Sequence, residues 1–288
     1  MSSKRAGPQA ATASEMAQDE LDRRLLFEVE RGDVAAVALL LAAGACAEAR
    51  DMSRSAAGES ALHTASLGGR DVIAAMLLDA RACVDSVDGF GDTALICAAS
   101  QGHARVVQLL VGAGADANGV TTGSSLMAQS SLHLACKYAH APVVRLLLDA
   151  SAAPLAPDAQ GYTALHWAAS SGDTEIVQLL LSARCNINAT STDGNTPLHS
   201  AALGNNVEIT QALIQQKGDV NATNDLLHTP LHIAAMAARG ETVQLLLRNG
   251  AFSCHKTGDG RTAHDLALEW GGHDSSVALL LAITHPHA

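Results

Sequence analysis

Along most of the chain, short apolar stretches return on a fixed beat, each introduced by a small hydroxylated residue. The phrase Ser/Thr-x-Leu-His marks that beat: Ser60–His63, Thr93–Ile96, Ser130–His133, Thr163–His166, Thr196–His199, Thr229–His232 and, in altered form, Thr262–Asp265. Successive anchors lie 33, 37, 33, 33, 33 and 33 residues apart. A fixed period of this length is the mark of a repeat array. A glycine two positions before the anchor, at Gly58, Gly91, Gly161, Gly194 and Gly260, predicts a turn. Alanine pairs such as Ala98-Ala99 and Ala168-Ala169 follow the anchor. A second stretch then reads Val-x-Leu-Leu, as in Val107, Leu109 and Leu110, or Val177, Leu179 and Leu180. Apolar residues so spaced share one helical face, so each period predicts a turn and two short helices.

Composition says how such helices must pack. Apolar residues make up 48% of the 288-residue chain, yet only 2% are aromatic, with three Phe, two Tyr and two Trp. A core of this size cannot lean on rings for buried area. It is instead predicted to form from Leu, Val and Ala, with alanine on the first helix letting neighbouring backbones approach closely. With 16% charged residues and a mean hydropathy of +0.14, the chain also lacks the composition of a disordered one.

The Thr-Pro-Leu-His phrase at Thr196–His199 and Thr229–His232 resembles the ankyrin repeat, and the resemblance covers about nine tenths of the chain. It implies an all-α solenoid of stacked helix-turn-helix units with β-turn or hairpin loops. Leu25-Leu26, Gly32-Asp33, Val37, Leu39-Leu40 and Gly44-Ala45 read as a degenerate first unit. The expected organisation is a flexible N-terminal tail at 1–20, a repeat domain at 21–283 and a C-terminal tail at 284–288. Its units start near 21, 55, 88, 125, 158, 191, 224 and 257. Both terminal units are expected to act as solubilising caps.

Two departures from the pattern stand out. The 37-residue interval contains GVTTGSSLMA at 119–128, with Ala128 in the slot of the turn glycine, and a similar extension occupies 52–58. Such insertions lie either on the binding side of a solenoid or in a slack loop. The glycine that ends the second helix, present as Gly44, Gly114 and Gly250, is replaced by Arg81, Ser151, Arg184 and Lys217. A left-handed conformation there costs roughly 1 kcal/mol each. The cations suit a helix C-terminus or form a basic docking edge.

Chemistry is scarce. Five of the thirteen histidines, His63, His133, His166, His199 and His232, hold one repeat position, where the family uses imidazole to bond the turn and the preceding Ser or Thr. No nucleophile elbow, phosphate-binding loop, zinc-protease or kinase motif is present. No catalytic residue, cofactor site or metal site is therefore expected. Cys46, Cys83, Cys97, Cys136, Cys185 and Cys254 form no C-x-x-C pair, which fits a reducing compartment. The formal charge of −11 disfavours nucleic acid. The longest apolar stretch, Val34 to Ala47, has 14 residues including Gly44, too few for membrane insertion. The first eighteen residues lack the apolar core of a secretory signal. A cytoplasmic location is expected, with nuclear or cytoskeletal residence as alternatives.

The resemblance also implies where a partner sits: on turn tips and the exposed side of each first helix, which line a concave groove. The corresponding positions include Phe90, Leu126, Met127, Tyr138, Tyr162, Asp193, Leu203, Asp225, His228, Met236 and Trp270. Four of the seven aromatics, Phe90, Tyr138, Tyr162 and Trp270, fall there. Phe27 and Trp167 share a first-helix position instead, and Phe252 follows a helix. An apolar and aromatic centre grading into Asp193, Asp225 and Asp259 predicts a protein or peptide partner with an apolar anchor and a basic flank. The expected function is a non-enzymatic, monomeric interaction scaffold or adaptor. The alternatives are a regulatory or substrate-recruiting subunit of an enzyme complex and an assembly chaperone resembling the proteasome-associated ankyrin proteins. The turn asparagines Asn118, Asn188 and Asn221 resemble the sites that asparaginyl hydroxylase modifies in ankyrin proteins.

Overall fold

The structure, a computed structural model, describes residues 13–50, 58–122, 128–271 and 277. Among these, helices come in pairs. The long α1 (Ala13–Arg31) precedes α2 (Val34–Ala42), followed by α3 (Ala61–Leu67) with α4 (Asp71–Asp79) and α5 (Ala94–Ser100) with α6 (Ala104–Gly112). The series continues with α7 (Ser131–Lys137) and α8 (Ala141–Asp149), α9 (Ala164–Ser171) and α10 (Thr174–Ser182), and α11 (Pro197–Gly204) and α12 (Val207–Gln215). It ends with α13 (Pro230–Met236), α14 (Gly240–Arg248) and α15 (Ala263–Gly271). Isolated antiparallel bridges close four turns, at Arg50–Ser60, Val87–Thr93, Val120–Ser130 and Pro157–Thr163.

The chain forms two compact halves. The N-terminal half holds the chain through Ala98 together with His103–Asp116. The C-terminal half holds Ala99–Gly102, Ala117–Val120 and the chain from Ala128 onward. Among the described residues, neither core buries a Phe, Tyr or Trp side chain. Ala65, Ala74 and Ala98 with Leu62, Leu77 and Leu95 are buried in the first, and Ala168, Ala201 and Ala234 with Leu165, Leu180 and Leu198 in the second. Each fully buried Leu contributes about 2 kcal/mol of transfer free energy, and the alanines let the helices come close enough to collect it.

Where it occurs, the repeated histidine ties its first helix to its own turn and to a carbonyl at or just before the following turn. In the C-terminal half, Nε2 of His133, His166, His199 and His232 donates to the carbonyls of Ala156, Asn195, His228 and His255 at 3.0–3.1 Å. A carbonyl only accepts, so Nε2 carries the proton and Nδ1 is the acceptor. It takes the backbone N–H and the hydroxyl of the preceding Ser or Thr, as at Thr196, where both lie within 3.1 Å. The result is a capping box with imidazole in the role of the usual glutamate. In the N-terminal half His63 repeats the arrangement, its Nε2 donating to the Asp92 carbonyl at 2.9 Å.

Residues just before the second helices add a further link. Nε2 of His103 and His140 donates to the carbonyls of Leu67 and Ser100, Asn206 Nδ2 to those of Ala169 and Ser170, and Arg239 Nε to that of Leu203. Each satisfies a carbonyl at the end of a preceding first helix. Asp173 caps its own helix instead, accepting from Ile176 N at 3.0 Å.

Some expectations need correction. α1 begins at Ala13, inside the segment expected to be a flexible tail, because Gln18 bonds Asp22 and the Gly44 carbonyl while Asp22 accepts from Cys46 N. The first unit is not a polar cap throughout. α2 carries no charge and leaves Leu39 72% exposed, whereas the other end is charged, with Arg261 pairing Asp259 and Glu269. Most of the 52–58 and 119–128 insertions lies outside the described residues.

Left-handed backbone occurs where the pattern requires it, at Arg81, Ser151, Arg184 and Lys217 and at the turn glycines, with φ of 54–84° at the latter. Leu227 occupies the turn-glycine slot of its repeat at φ 56° with its side chain 46% exposed. Replacing it by Gly relieves the Cβ clash and loses little packing, so Leu227→Gly is expected to stabilise the protein by about 1 kcal/mol. An unchanged or lower urea midpoint would contradict this.

Candidate binding surface

Four of the turns are each pinned from below by one polar residue, which fixes where the tip points. Asp88 Oδ1 accepts from the N–H groups of Phe90 and Asp92, and Asp158 Oδ1 from those of Gln160 and Tyr162. Ser191 Oγ does the same for Asp193 and Asn195, as does Asn224 Oδ1 for Leu226 and His228. Asp88 and Asp158 are thus turn residues, as their place beside the glycines predicts. In the C-terminal half the tips are also joined to one another. Thr192 N donates to Gln160 O, Asp225 N to Asp193 O and Gly258 N to Leu226 O at 2.9–3.0 Å. The result is a continuous row of four tips whose outermost side chains, Asp193, Asp225 and Leu226, are exposed.

Beside the row, the first helices contribute an aromatic cluster. The Tyr162 ring lies 5.5 Å from that of Trp167 and edge-on to His166 at 5.2 Å. Trp167 Nε1 donates to Asp158 Oδ2 at 3.1 Å, which orients the indole. Lys137 Nζ sits 4.9 Å from the Trp167 ring centre and 5.5 Å from that of Tyr138, itself half exposed. Tyr138 and Tyr162 are therefore brought into one cluster by Lys137, at another of the expected groove positions, and by Trp167, which was not expected there. Trp167 follows its anchor Thr163 by one helical turn, and Lys137 ends the first helix of the preceding repeat.

The other expected residues distribute as follows. Leu203 and Met236 lie in the last turns of α11 and α13, the first exposed and the second half-buried, and Trp270, 65% exposed, lies near the end of α15. The His228 ring stacks on His232 at 5.9 Å, so it is tied to the turn rather than free. Phe90 is an exposed tip of the N-terminal half. Leu126 and Met127 lie outside the described residues. Asp259 differs from the other two acids in being ion-paired, with an arginine that also pairs with Glu269. Hydrogen bonds from Arg261 and Thr257 hold its carboxyl well below the usual range.

Other ionisable groups are shifted by structure. Burial lowers the imidazoles of His63, His133 and His166, and lowers His199 and His232 to about 4. Burial, with the nearby Asp88, raises the Asp92 carboxyl to about 6. Burial likewise drives the Cys97 and Cys136 thiols far up and Cys185 to about 11, away from nucleophilic thiolates. Among the described residues no group of three or more His, Cys, Asp or Glu could hold a metal ion, and no helix is long and apolar enough to cross a membrane.

Paired helices with linked turns, presenting side chains along a row of tips, define a protein–protein interaction module. A family model of three ankyrin repeats matches residues 25–121, 119–191 and 183–257, and the chain belongs to the ankyrin-repeat family. The fold of the human ASB11 ankyrin repeat domain is similar, with a TM-score of 0.72 and 28% identity over 80% of this chain and 100% of that one. A rice protein (Oryza sativa subsp. japonica) described as probable E3 ubiquitin-protein ligase XBOS31 is 33% identical over 144 residues, half of this chain. The match spans 31% of the rice protein. Ankyrin repeats bind protein partners, and the fold is typically that of a non-enzymatic domain.

Proposed function

We propose that the protein is an adaptor that holds a protein or peptide partner along the tip row and first helices of its C-terminal half. The observation that carries this reading is the row itself. Backbone hydrogen bonds fix adjacent tips in register, and the same half exposes Leu226, Leu203 and Tyr138 together with Asp193 and Asp225, neither of which is in an ion pair among the described residues. Rigid presentation lowers the ordering cost of binding, and an aromatic or aliphatic anchor ringed by polar groups is the usual form of a binding hot spot. Asp193 and Asp225 suit a basic flank on the partner.

A narrower reading, a substrate-recruiting subunit, draws on the similarity to the rice protein described as a probable ligase. It predicts that a catalytic protein and a modified one both appear among the partners.

Quantitative proximity labelling of cells expressing the wild-type chain and variants tests the surface. Tyr138→Ala, Leu226→Ala and Asp193→Lys are expected to reduce a common set of partners at least about tenfold. Gln178→Ala, on the exposed side of α10, is expected to leave that set intact. With circular dichroism showing each variant folded, an unchanged partner set would sink the proposal.

A further inference from the structure

We propose that Lys137 is an anchor for a carboxylate, so that the segment bound on the tip row is bipolar, with an Asp or Glu side chain at Lys137 and Lys or Arg side chains at Asp193 and Asp225. This rests on the adaptor reading above and assigns the chemistry of its partner.

Lys137 ends α7, its ammonium set between the faces of Trp167 and Tyr138. Two ring faces stabilise the charge but accept none of its hydrogen bonds strongly, and an ammonium has three to give. The neighbouring acid is already committed. Asp158 takes two backbone N–H groups on Oδ1 and takes Trp167 Nε1 and Gln129 Nε2 on Oδ2. Three other cations of this half are occupied. Arg145 pairs with Glu175, Arg261 with Asp259 and Glu269, and Arg239 bonds the Leu203 carbonyl. Among the described residues no carboxylate pairs with Lys137. The ammonium is therefore pre-positioned on rigid rings with donors unspent, in a chain of net charge −11.

The opposite pole is equally well fixed. Asp193 and Asp225 lie on adjacent tips joined at 3.0 Å, and neither is in an ion pair among the described residues, whereas Asp259 on the following tip is paired with Arg261. The surface thus runs from positive at Lys137 to negative at tips two and three repeats further along. A uniformly basic segment would be repelled at one end and a uniformly acidic one at the other. Repeats about 10 Å apart put the poles roughly 20–30 Å apart. An extended segment covers that span in about six to nine residues.

A random dodecapeptide library displayed on phage is selected against the full chain. Winning peptides are then titrated into Trp270→Phe protein, in which Trp167 is the remaining tryptophan and its emission reports binding at the cluster. Selected peptides are expected to carry an Asp or Glu about six to nine residues from a basic pair, in one order along the peptide. Changing that acid to its amide is expected to weaken binding at least tenfold. In Lys137→Gln protein the acid and amide peptides should bind alike, and Lys137→Arg should restore the difference. Equal binding of acid and amide to wild type, or a preference that survives Lys137→Gln, overturns the anchor. If binding is then still lost on Asp193→Asn with Asp225→Asn, the adaptor surface stands and only the Lys137 assignment falls. Binding indifferent to both sets of substitutions, or no selected peptide at all, overturns both.

Discussion

Acidification from pH 6.5 to pH 4 is expected to lower the urea midpoint by about 1 M or more, through the repeated histidines rather than through surface carboxylates. Each imidazole accepts a backbone N–H on Nδ1 while donating from Nε2. A second proton would set an N–H against an N–H, in a buried place that resists charge. The folded values of His199 and His232, about 4, lie below the ordinary 6.5 of an unfolded chain. The unfolded state therefore binds protons first as the pH drops. The stabilisation is complete above pH 6.5 and disappears as pH falls toward 4. For the well-buried His199 alone the full loss is about 3 kcal/mol. His63, His133 and His166 shift in the same direction. Asp92 works against the trend. Its folded value of about 6 exceeds the ordinary 3.8, so acid relieves a penalty there. One half-exposed carboxyl does not offset five imidazoles. A urea midpoint that stays flat across this window would show that the histidines tolerate the proton.

Gly161→Ala is expected to destabilise the protein by about 2–4 kcal/mol. Part of that is the positive φ of 76°, which a Cβ strains. The rest is contact, because an added Cβ would lie 2.6 Å from Thr192 N and 2.9 Å from Ser191 Cα. That amide makes the bond to Gln160 O joining two tips, so the methyl group must push the row apart. Gly44→Ala separates the two effects. Its φ is 94° and nothing lies within 4 Å of the added Cβ, so it carries the conformational cost alone, about 1–2 kcal/mol. Thermal unfolding of the pair reads the difference. Equal losses would mean that the tips are not closely packed at Gly161.

The contrast between these two glycines shows what could be seen in the chain before its structure. Periodicity reports on backbone position, and backbone position was legible: the helix pairs, the turn glycines and the left-handed Arg81, Arg184 and Lys217 follow from spacing, and the imidazole caps follow from the family resemblance. Side-chain company was not. That Lys137 meets Trp167 depends on rotamers of residues 30 positions apart, and that Asp259 is ion-paired depends on Arg261 turning toward it. The pattern placed Tyr138 and Tyr162 on one surface but could not tell that an indole and a cation would join them. Nor could it place the start of α1, which is fixed by bonds from Gln18 and Asp22 to a loop far along the chain.

The imidazole links also give the array a direction. Every His-bearing anchor of the C-terminal half completes its hydrogen bonds with a carbonyl beyond its own helix pair: His166 and His199 borrow theirs from the next repeat, and His133 and His232 from the loop that leads into it. Thr262 breaks the chain of borrowing. Its N–H and hydroxyl both donate to Asp265 Oδ2 at 2.8 Å, and Asp265 N donates back to the Thr262 hydroxyl. A carboxylate closes this capping box with no leftover N–H in search of a further carbonyl. Asp265 is in that sense a full stop written in side-chain chemistry: one substitution at the fourth position of the phrase lets the capping box close without a donor left over for a further carbonyl.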